Sequence, residues 1–374
     1  MSLVKTNAIL DASGGNTATI NSMTPTADSL QGFRNRIING AMMIDQRNAG
    51  ASVSAGNAYT LDRWGVRTDT GSGNTTQQST TVPTGFKNSL IVTIGTGASP
   101  TSGQRNYISQ NIEGLNVSDL AWGSASAKTV TLSFWVRSSL TGTFGGALQN
   151  SAGDRSYPFT YTISAANTYE YKTVTIAGDT TGTWLTTNGI GIALYIGLGL
   201  GSTFNGTAGA WAAADYRSAT GSTNVVATSG ATFYITGAQL EVGSVATPFE
   251  RRDYGRELIM CQRYYYKQKA TSAGSYFGAG LVYSTTKAVV ITQFGVQMRT
   301  APSALEQTGT ASDYRVLNSS GSGVACSLAP IFGATSNDSA STELTVSSGL
   351  TAGNATMGVG NTGSNGYLAW SAEL

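Results

Sequence analysis

The sequence predicts an all-β protein built as a sandwich or jelly roll, and three observations carry that prediction. Apolar residues alternate with polar ones at period two in many short runs. Turns rich in Gly, Asn and Thr separate these runs. Only 11 % of the residues are charged, yet 17 Tyr, 11 Phe and 6 Trp are enough to fill cores. That combination argues against disorder, which couples high net charge to few aromatics.

Taken in order, residues 1–32 mix small, polar and apolar residues, with short strands expected at 9–10 and 18–20. The piece is too small and polar to bury a core alone. A jelly-roll β-sandwich is expected over residues 33–252. Leu90, Val92 and Ile94 mark one strand. Val130, Leu132, Phe134 and Val136 alternate with Thr129, Thr131, Ser133 and Trp135, which places one set inward. Phe159, Tyr161 and Ile163 repeat the pattern, as do Tyr169, Tyr171 and Thr173 before a phase shift at Val174 and Ile176. Phe233 and Ile235 begin the last strand. Residues 253–269 differ in kind. Asp253 is a capping residue, and Leu258, Cys261 and Tyr265 recur at helical spacing, predicting a short linking helix. Its Arg256, Arg263, Lys267 and Lys269 lie beside Glu250, Asp253 and Glu257, a solvated and internally paired face. Residues 270–374 return to strands at 276–277, 281–283, 289–293, 314–316, 344–346 and 367–370, with 298–305 a strand end turning at Pro302. A second, smaller β-sandwich is the economical reading.

Composition also excludes functions. Lys plus Arg number 22 against 20 Asp plus Glu, so no global field steers the chain to nucleic acid or anionic lipid. The start lacks an apolar run of signal-peptide length, and the longest apolar stretch, IGIALYIGLGLG (190–201), is too short for a span and broken by glycines. A soluble chain made in a cytoplasm, without membrane insertion, is expected. There Cys261 and Cys326, distant and without metal-ligand spacing, are expected as buried thiols, a disulfide being the minority reading. The chain has no histidine, which removes the commonest general base and metal ligand. No cofactor or metal site is expected. Paired carboxylates remain the one open hydrolytic chemistry. Asp154, Glu170, Asp179 and Asp215 are scattered singly and read as turn or cap residues, so no catalytic residue is assigned. GLGLG (197–201) lacks the spacing and following helix of a phosphate loop.

Two segments carry most of the remaining information: FRNRIINGAMMIDQRNAG (33–50) and ITGAQLEVGSVATPFERRDYGRELIMCQRYYYK (235–267). With TLDRWG (60–65), TLSFWVRSS (131–139) and GDTTGTW (178–184), they resemble the opening and closing signatures of a β-sandwich found in tailed-bacteriophage virion proteins, chiefly tail fibres and related appendages. The resemblance covers residues 33–267. It implies a non-enzymatic structural subunit of a virion, a homotrimeric tail fibre that recognises a host-surface glycan, with residues 1–32 attaching to other virion proteins. Low charge suits a surface buried against sister subunits, and the 253–267 helices are expected to meet near their axis. The alternative is a head fibre, decoration protein or fibre adaptor with a purely structural role. A polysaccharide-degrading tailspike is the lesser alternative, since no stacking repeat is visible. The sandwich also resembles carbohydrate-binding modules in build.

Within the signatures, Asp45, Asp62 and Arg63 read either as recognition residues or, preferably, as a lock at a sandwich edge, with Asp62 and Arg63 paired and Trp64 buried. The glycan candidates are Trp211, Tyr216 and Arg217, with Trp184 beside them. Sugar rings present apolar C–H faces to aromatic rings while polar groups fix the hydroxyls. Trp211 lies in a Gly- and Ala-rich run read as a loop over the sandwich rim. Packing under a sister subunit is its competing fate.

Overall fold

In the computed structural model, which describes residues 33–318, 320–361 and 365–374, Asp62 and Arg63 turn the chain between β1 (Ala58–Leu61) and β2 (Trp64–Thr68). The strands and attachment role expected of residues 1–32 lie outside the described residues. Arg63 occupies the left-handed region at φ 69°. A side chain there is uncommon unless its surroundings hold it. The chain divides into two compact units. One holds the described residues up to Ala41 with Arg67–Asn74 and Thr80–Arg251; the other holds Met42–Val66, Thr75–Ser79 and Arg252–Leu374. The second unit thus takes residues 42–66 and 75–79 together with those from Arg252 on.

The first unit is the antiparallel jelly-roll sandwich. Its strands are β3 (Ser89–Thr93), β4 (Asn106–Glu113), β5 (Val130–Ser138), β6 (Gly142–Gln149), β7 (Ser156–Ile163), β8 (Glu170–Ile176), β9 (Ile190–Gly197) and β10 (Thr232–Val242). Within this unit one sheet runs β3-β10-β5-β8 and the other β4-β9-β6-β7. Leu132, Phe134 and Val136 point inward as their alternation predicts, and Phe134 meets Tyr161 of the other sheet edge-on at 5.0 Å. The phase shift expected in β8 does not occur. Its register with β5 is unbroken from Glu170↔Val136 to Ile176↔Val130, so Val174 and Ile176 lie on the core side and Tyr171 and Thr173 on the outer side. Both faces of β8 carry apolar atoms, and period two alone cannot say which one the core takes.

The opening signature enters this unit as a buried hydrogen-bonded thread along β10. Asn35 donates from Nδ2 to the Ala238 carbonyl at 3.0 Å, and its Oδ1 accepts from the Leu240 amide at 3.1 Å. Glu250 accepts from the Phe33 and Asn35 amides, and Gln110 holds both the amide and the carbonyl of Ile38 at 2.9 Å. A Cβ at Gly40 would stand 2.2 Å from the Ala238 oxygen, so only glycine allows the approach.

The second unit begins with α1 (Tyr254–Gln262), capped by the Asp253 carboxylate accepting from the Arg256 amide. The helix expected over 253–269 stops there, because β11 (Tyr265–Lys269) is a strand. Tyr264 and Tyr265 are both buried, and consecutive bulky side chains reach buried positions on opposite sides of an extended chain. The strands that follow are β12 (Tyr276–Val282), β13 (Lys287–Gln293), β14 (Glu306–Gln307), β15 (Tyr314–Leu317), β16 (Gly323–Ala325), β17 (Ile331–Thr335), β18 (Ser339–Thr345), β19 (Ala355–Gly360) and β20 (Tyr367–Ser371). A seven-stranded sheet, β16-β15-β19-β12-β13-β18-β17, and a three-stranded one, β11-β20-β14, enclose Phe277, Val290, Tyr314, Leu344, Leu368 and Trp370. Residues 298–305 form no strand. Cys261 and Cys326 are buried and unbridged, and burial pushes both thiols up, Cys326 to about 12.

The remaining signature residues meet inside this unit. Gln46 donates from its amide and from Nε2 to Asp62 at 2.7 and 2.5 Å. Arg63, fully buried, forms its ion pair with Glu373 and stacks on the Tyr264 ring, 3.6 Å from the centroid. Arg47 lies 3.7 Å from the centroid of Tyr265 and within 3.3 Å of Glu373. Asp45 accepts from the amides of Asn48 and Gly50, which fits a structural role. The lock reading holds, and Trp64 is buried, but Asp62 and Arg63 are served by Gln46 and Glu373 respectively.

Two consequences are testable. Glu373→Ala strands a buried guanidinium and should lower stability by about 3–5 kcal/mol, measured by urea unfolding; a loss below about 1 kcal/mol would remove the pair from the lock. Burial raises the Asp62 carboxyl to about 6, against the opposing Gln46 hydrogen bonds. Between about pH 4 and 6 the unfolded state therefore releases a proton that the folded state keeps. The stability contributed by Asp62 is full below about pH 4 and is lost as pH rises through 6, by roughly 3 kcal/mol. Unfolding of Asp62→Asn should lack this component when wild type and variant are compared at pH 4 and 7.

Candidate glycan-binding surfaces

Trp211 sits on a loop stitched to the start of β7 through the Ser156↔Ala212 bridge. Its ring lies 5.3 Å from both Trp122 and Trp184 and 5.2 Å from Tyr157, all edge-on, and its Nε1 donates to the Ala177 carbonyl at 2.8 Å. Trp184 in turn donates to Asp179, which Arg155 grips through Nε and Nη2 at 2.8 and 2.6 Å. Burial opposes ionisation of Asp179, but the Arg155 hydrogen bonds outweigh it and hold the carboxyl below its ordinary range. The rings pack on one another within one chain. Trp211 is half-buried there.

Arg217 belongs to a different group. It pairs with Asp215 at 2.8 Å and donates to the Tyr107 hydroxyl at 3.1 Å. Its guanidinium carbon lies 5.1 Å from the Tyr195 centroid and 5.5 Å from that of Phe204. Asp215 also accepts from Gln149 at 2.7 Å. The Tyr216 ring packs over Gly206, where a Cβ would come within 2.2 Å of it. The loop thus holds the three predicted residues near one another in sequence, while the contacts of Trp211 and Arg217 fall in two separate clusters.

A surface that the candidate choice overlooked covers the outer face of the β3-β10-β5-β8 sheet. Trp135 of β5 opposes Tyr171 of β8 in register, with ring centroids 5.4 Å apart. Tyr234 of β10 opposes Arg137, whose guanidinium carbon lies 4.7 Å above the Tyr234 ring, and Tyr169 sits 6.3 Å away. A bulge in β10 places Gly237 at φ +60°, where a Cβ would stand 2.6 Å from Phe86 and 3.1 Å from Trp135. Phe86 continues the band to Phe249 at 5.3 Å. Tyr171 is 42 % exposed, with exposed Thr173 and Thr175 following it on the same strand. The signal was present in the sequence: period two puts Trp135 in the polar set opposite Phe134.

The scattered carboxylates hold turns and ion pairs. Glu170 accepts from the Ser164 and Ala165 amides and pairs with Lys172, and Asp154 accepts from Asn150. Among the described residues no group of three or more His, Cys, Asp or Glu could hold a metal ion, and no helix is long and apolar enough to cross a membrane.

No protein-family model matches the sequence, and no curated protein does. Similar solved structures include the enzymatically active domain of tailspike protein 4 of bacteriophage CBA120, at 13 % identity and TM-score 0.32, covering 56 % of this chain and 22 % of that one. The family 22 carbohydrate-binding module of Clostridium thermocellum Xyn10B matches at 15 % identity and TM-score 0.27, covering 54 % of this chain and 99 % of that one. The CBM22-2 xylan-binding domain of Paenibacillus barcinonensis Xyn10C matches at 13 % identity and TM-score 0.28, covering 52 % and 99 %. The match spans about a fifth of the tailspike domain.

The two aromatic groups should respond differently to truncation. Trp211→Ala removes a ring packed on three others and should cost about 2–4 kcal/mol in urea unfolding. Tyr171→Ala, on an exposed outer face, should cost under about 1 kcal/mol. Equal losses would show that the outer band is packing and not free surface.

Proposed function

We propose that this chain is a non-enzymatic structural subunit of a phage virion, a homotrimeric tail fibre that recognises a host-surface glycan. The outward aromatic band carries the glycan part of this reading. Tilted and edge-on rings on one sheet face, interleaved with threonine hydroxyls and an arginine, offer apolar and polar partners to the C–H faces and hydroxyl edges of a pyranose. The virion part rests on the resemblance, and its support is the role of the residues that carry it. Asn35, Gln46, Asp62, Arg63, Glu250 and Tyr264, which lie in the segments that carry the resemblance, are hydrogen-bonding or stacking partners within the fold. The carboxylates open to hydrolytic chemistry are engaged in turns and ion pairs, which supports a role without catalysis. Attachment through residues 1–32 and a place on the tail belong to the same proposal.

A purely structural head fibre, decoration protein or adaptor is the second reading. The engagement of Trp211 by neighbouring rings and of Arg217 by Asp215 favours it.

Glycan-array screening of the full chain, followed by titration of any hit, separates the two. A shallow surface should bind one glycan site at millimolar to high-micromolar affinity, roughly 4–6 kcal/mol. Tyr171→Ala and Trp135→Ala should each weaken it at least about tenfold, with Trp211→Ala acting only through stability. Absence of any glycan binding would favour the structural reading.

A further inference from the structure

The seven-stranded sheet of the second unit buries one face over its core, and among the described residues the other face keeps large apolar side chains exposed. Tyr276, Leu281, Ile291, Ile331 and Met357 project from that outer face and are 42–62 % exposed. Register places Leu281, Ile291, Ile331 and Met357 on it together. Leu281 pairs with Ala355 and Val289, Val289 with Glu343, and Glu343 with Ile331; Ala279 pairs with Met357 and Ile291. A groove of about 340 Å³ runs between Tyr276, Ala279, Ile291, Gln293 and Met357. Soluble monomers rarely expose a continuous apolar patch of this kind without using it.

We infer that this face is where copies of the chain meet, a conclusion that rests on the homo-oligomeric reading above and gives it a surface. Three features select a copy as the occupant. The first is charge. On β12, β13, β18 and β19 the ionised outward groups are Lys287 and Glu343, which pair with each other at 2.6 Å while Tyr283 donates to Glu343. Arg315 on β15 marks the cationic edge of the face. An almost uncharged centre, whose one ion pair is already satisfied, selects an equally uncharged partner. The face itself is such a surface. The second is relief. The groove is walled by the projecting Tyr276, Ile291 and Met357, so the face offers both ridge and hollow. The third is size. Seven strands at ~4.8 Å and about six residues at ~3.4 Å span roughly 34 by 20 Å, or about 680 Å² in projection. That is the order of the ~800 Å² per partner of a standard interface. The expected meeting of the α1 helices supplies a contrasting site, since Ile259 on α1 is also exposed.

Light scattering of the full chain at micromolar concentration tests the inference. Wild type should have the mass of several chains. Ile291→Glu and Met357→Glu should reduce it to one chain with unchanged far-ultraviolet circular dichroism, while Ile259→Glu should leave it intact. In a second measurement that needs no charge in the interface, Ile291→Cys should react with a bulky maleimide at least tenfold more slowly than Tyr254→Cys. The native Cys261 and Cys326 are buried and should stay silent. A single-chain mass for wild type overturns both this face and the oligomeric reading. A multimer that survives both glutamates, with Ile291→Cys fully reactive, overturns the face alone and moves the contact elsewhere.

Discussion

A guanidinium with no exposed surface cannot be left unpaired, and the arrangement of the second unit follows from how Arg63 meets that demand. Desolvating a charge costs several kcal/mol, and a carboxylate offsets this only with good geometry and further partners. Glu373 supplies the carboxylate, Tyr264 the stacking face, and Arg47 a second cation on the same acid. Arginine suits the role because its planar fork both pairs and stacks. The pair adds little net stability over an apolar substitute of similar shape. What it adds is selectivity: the turn at Arg63, the strand after α1 and the end of β20 must all be in place before the charge is satisfied. The same demand holds Arg63 in its left-handed conformation.

The first unit uses neutral and acidic groups for an equivalent end. Asn35 has both an acceptor and donors, so it can tie its own thread to two backbone positions of β10. Glu250 takes the amides at the start of that thread. Each signature segment is thus divided. Residues 33–41 and 235–251 meet in one unit, and residues 42–50 and 252–267 meet in the other. Polar residues placed this way fix how each segment packs within its unit.

Those faces have contrasting chemistry. The outer sheet of the first unit carries rings separated by hydroxyls and arginine, a surface suited to a hydroxylated ligand. The outer face of the second carries aliphatic side chains, Tyr276 and one closed ion pair, a surface suited to another protein surface without charge. Low overall charge is compatible with both.

The all-β class, the inward set on β5, the capped helix start, the buried thiols and the burial of Trp64 were legible in the sequence, because each depends on local periodicity or on the chemistry of a single side chain. The end of α1, the inward side of β8 and the partner of Arg63 were not. A strand that pairs with residues a hundred positions away overrides helical spacing at Tyr265, and a core on one side decides between two apolar faces. The glycan candidates show the same limit. Tryptophan in a glycine-rich loop signals an exposed ring only if nothing folds against it, and Trp122, Trp184 and Tyr157 do so. Trp135 was written in the sequence as an aromatic among polar neighbours. Only the packing of β5 beside β8 and β10 joined it to Tyr171 and placed both on one outward face.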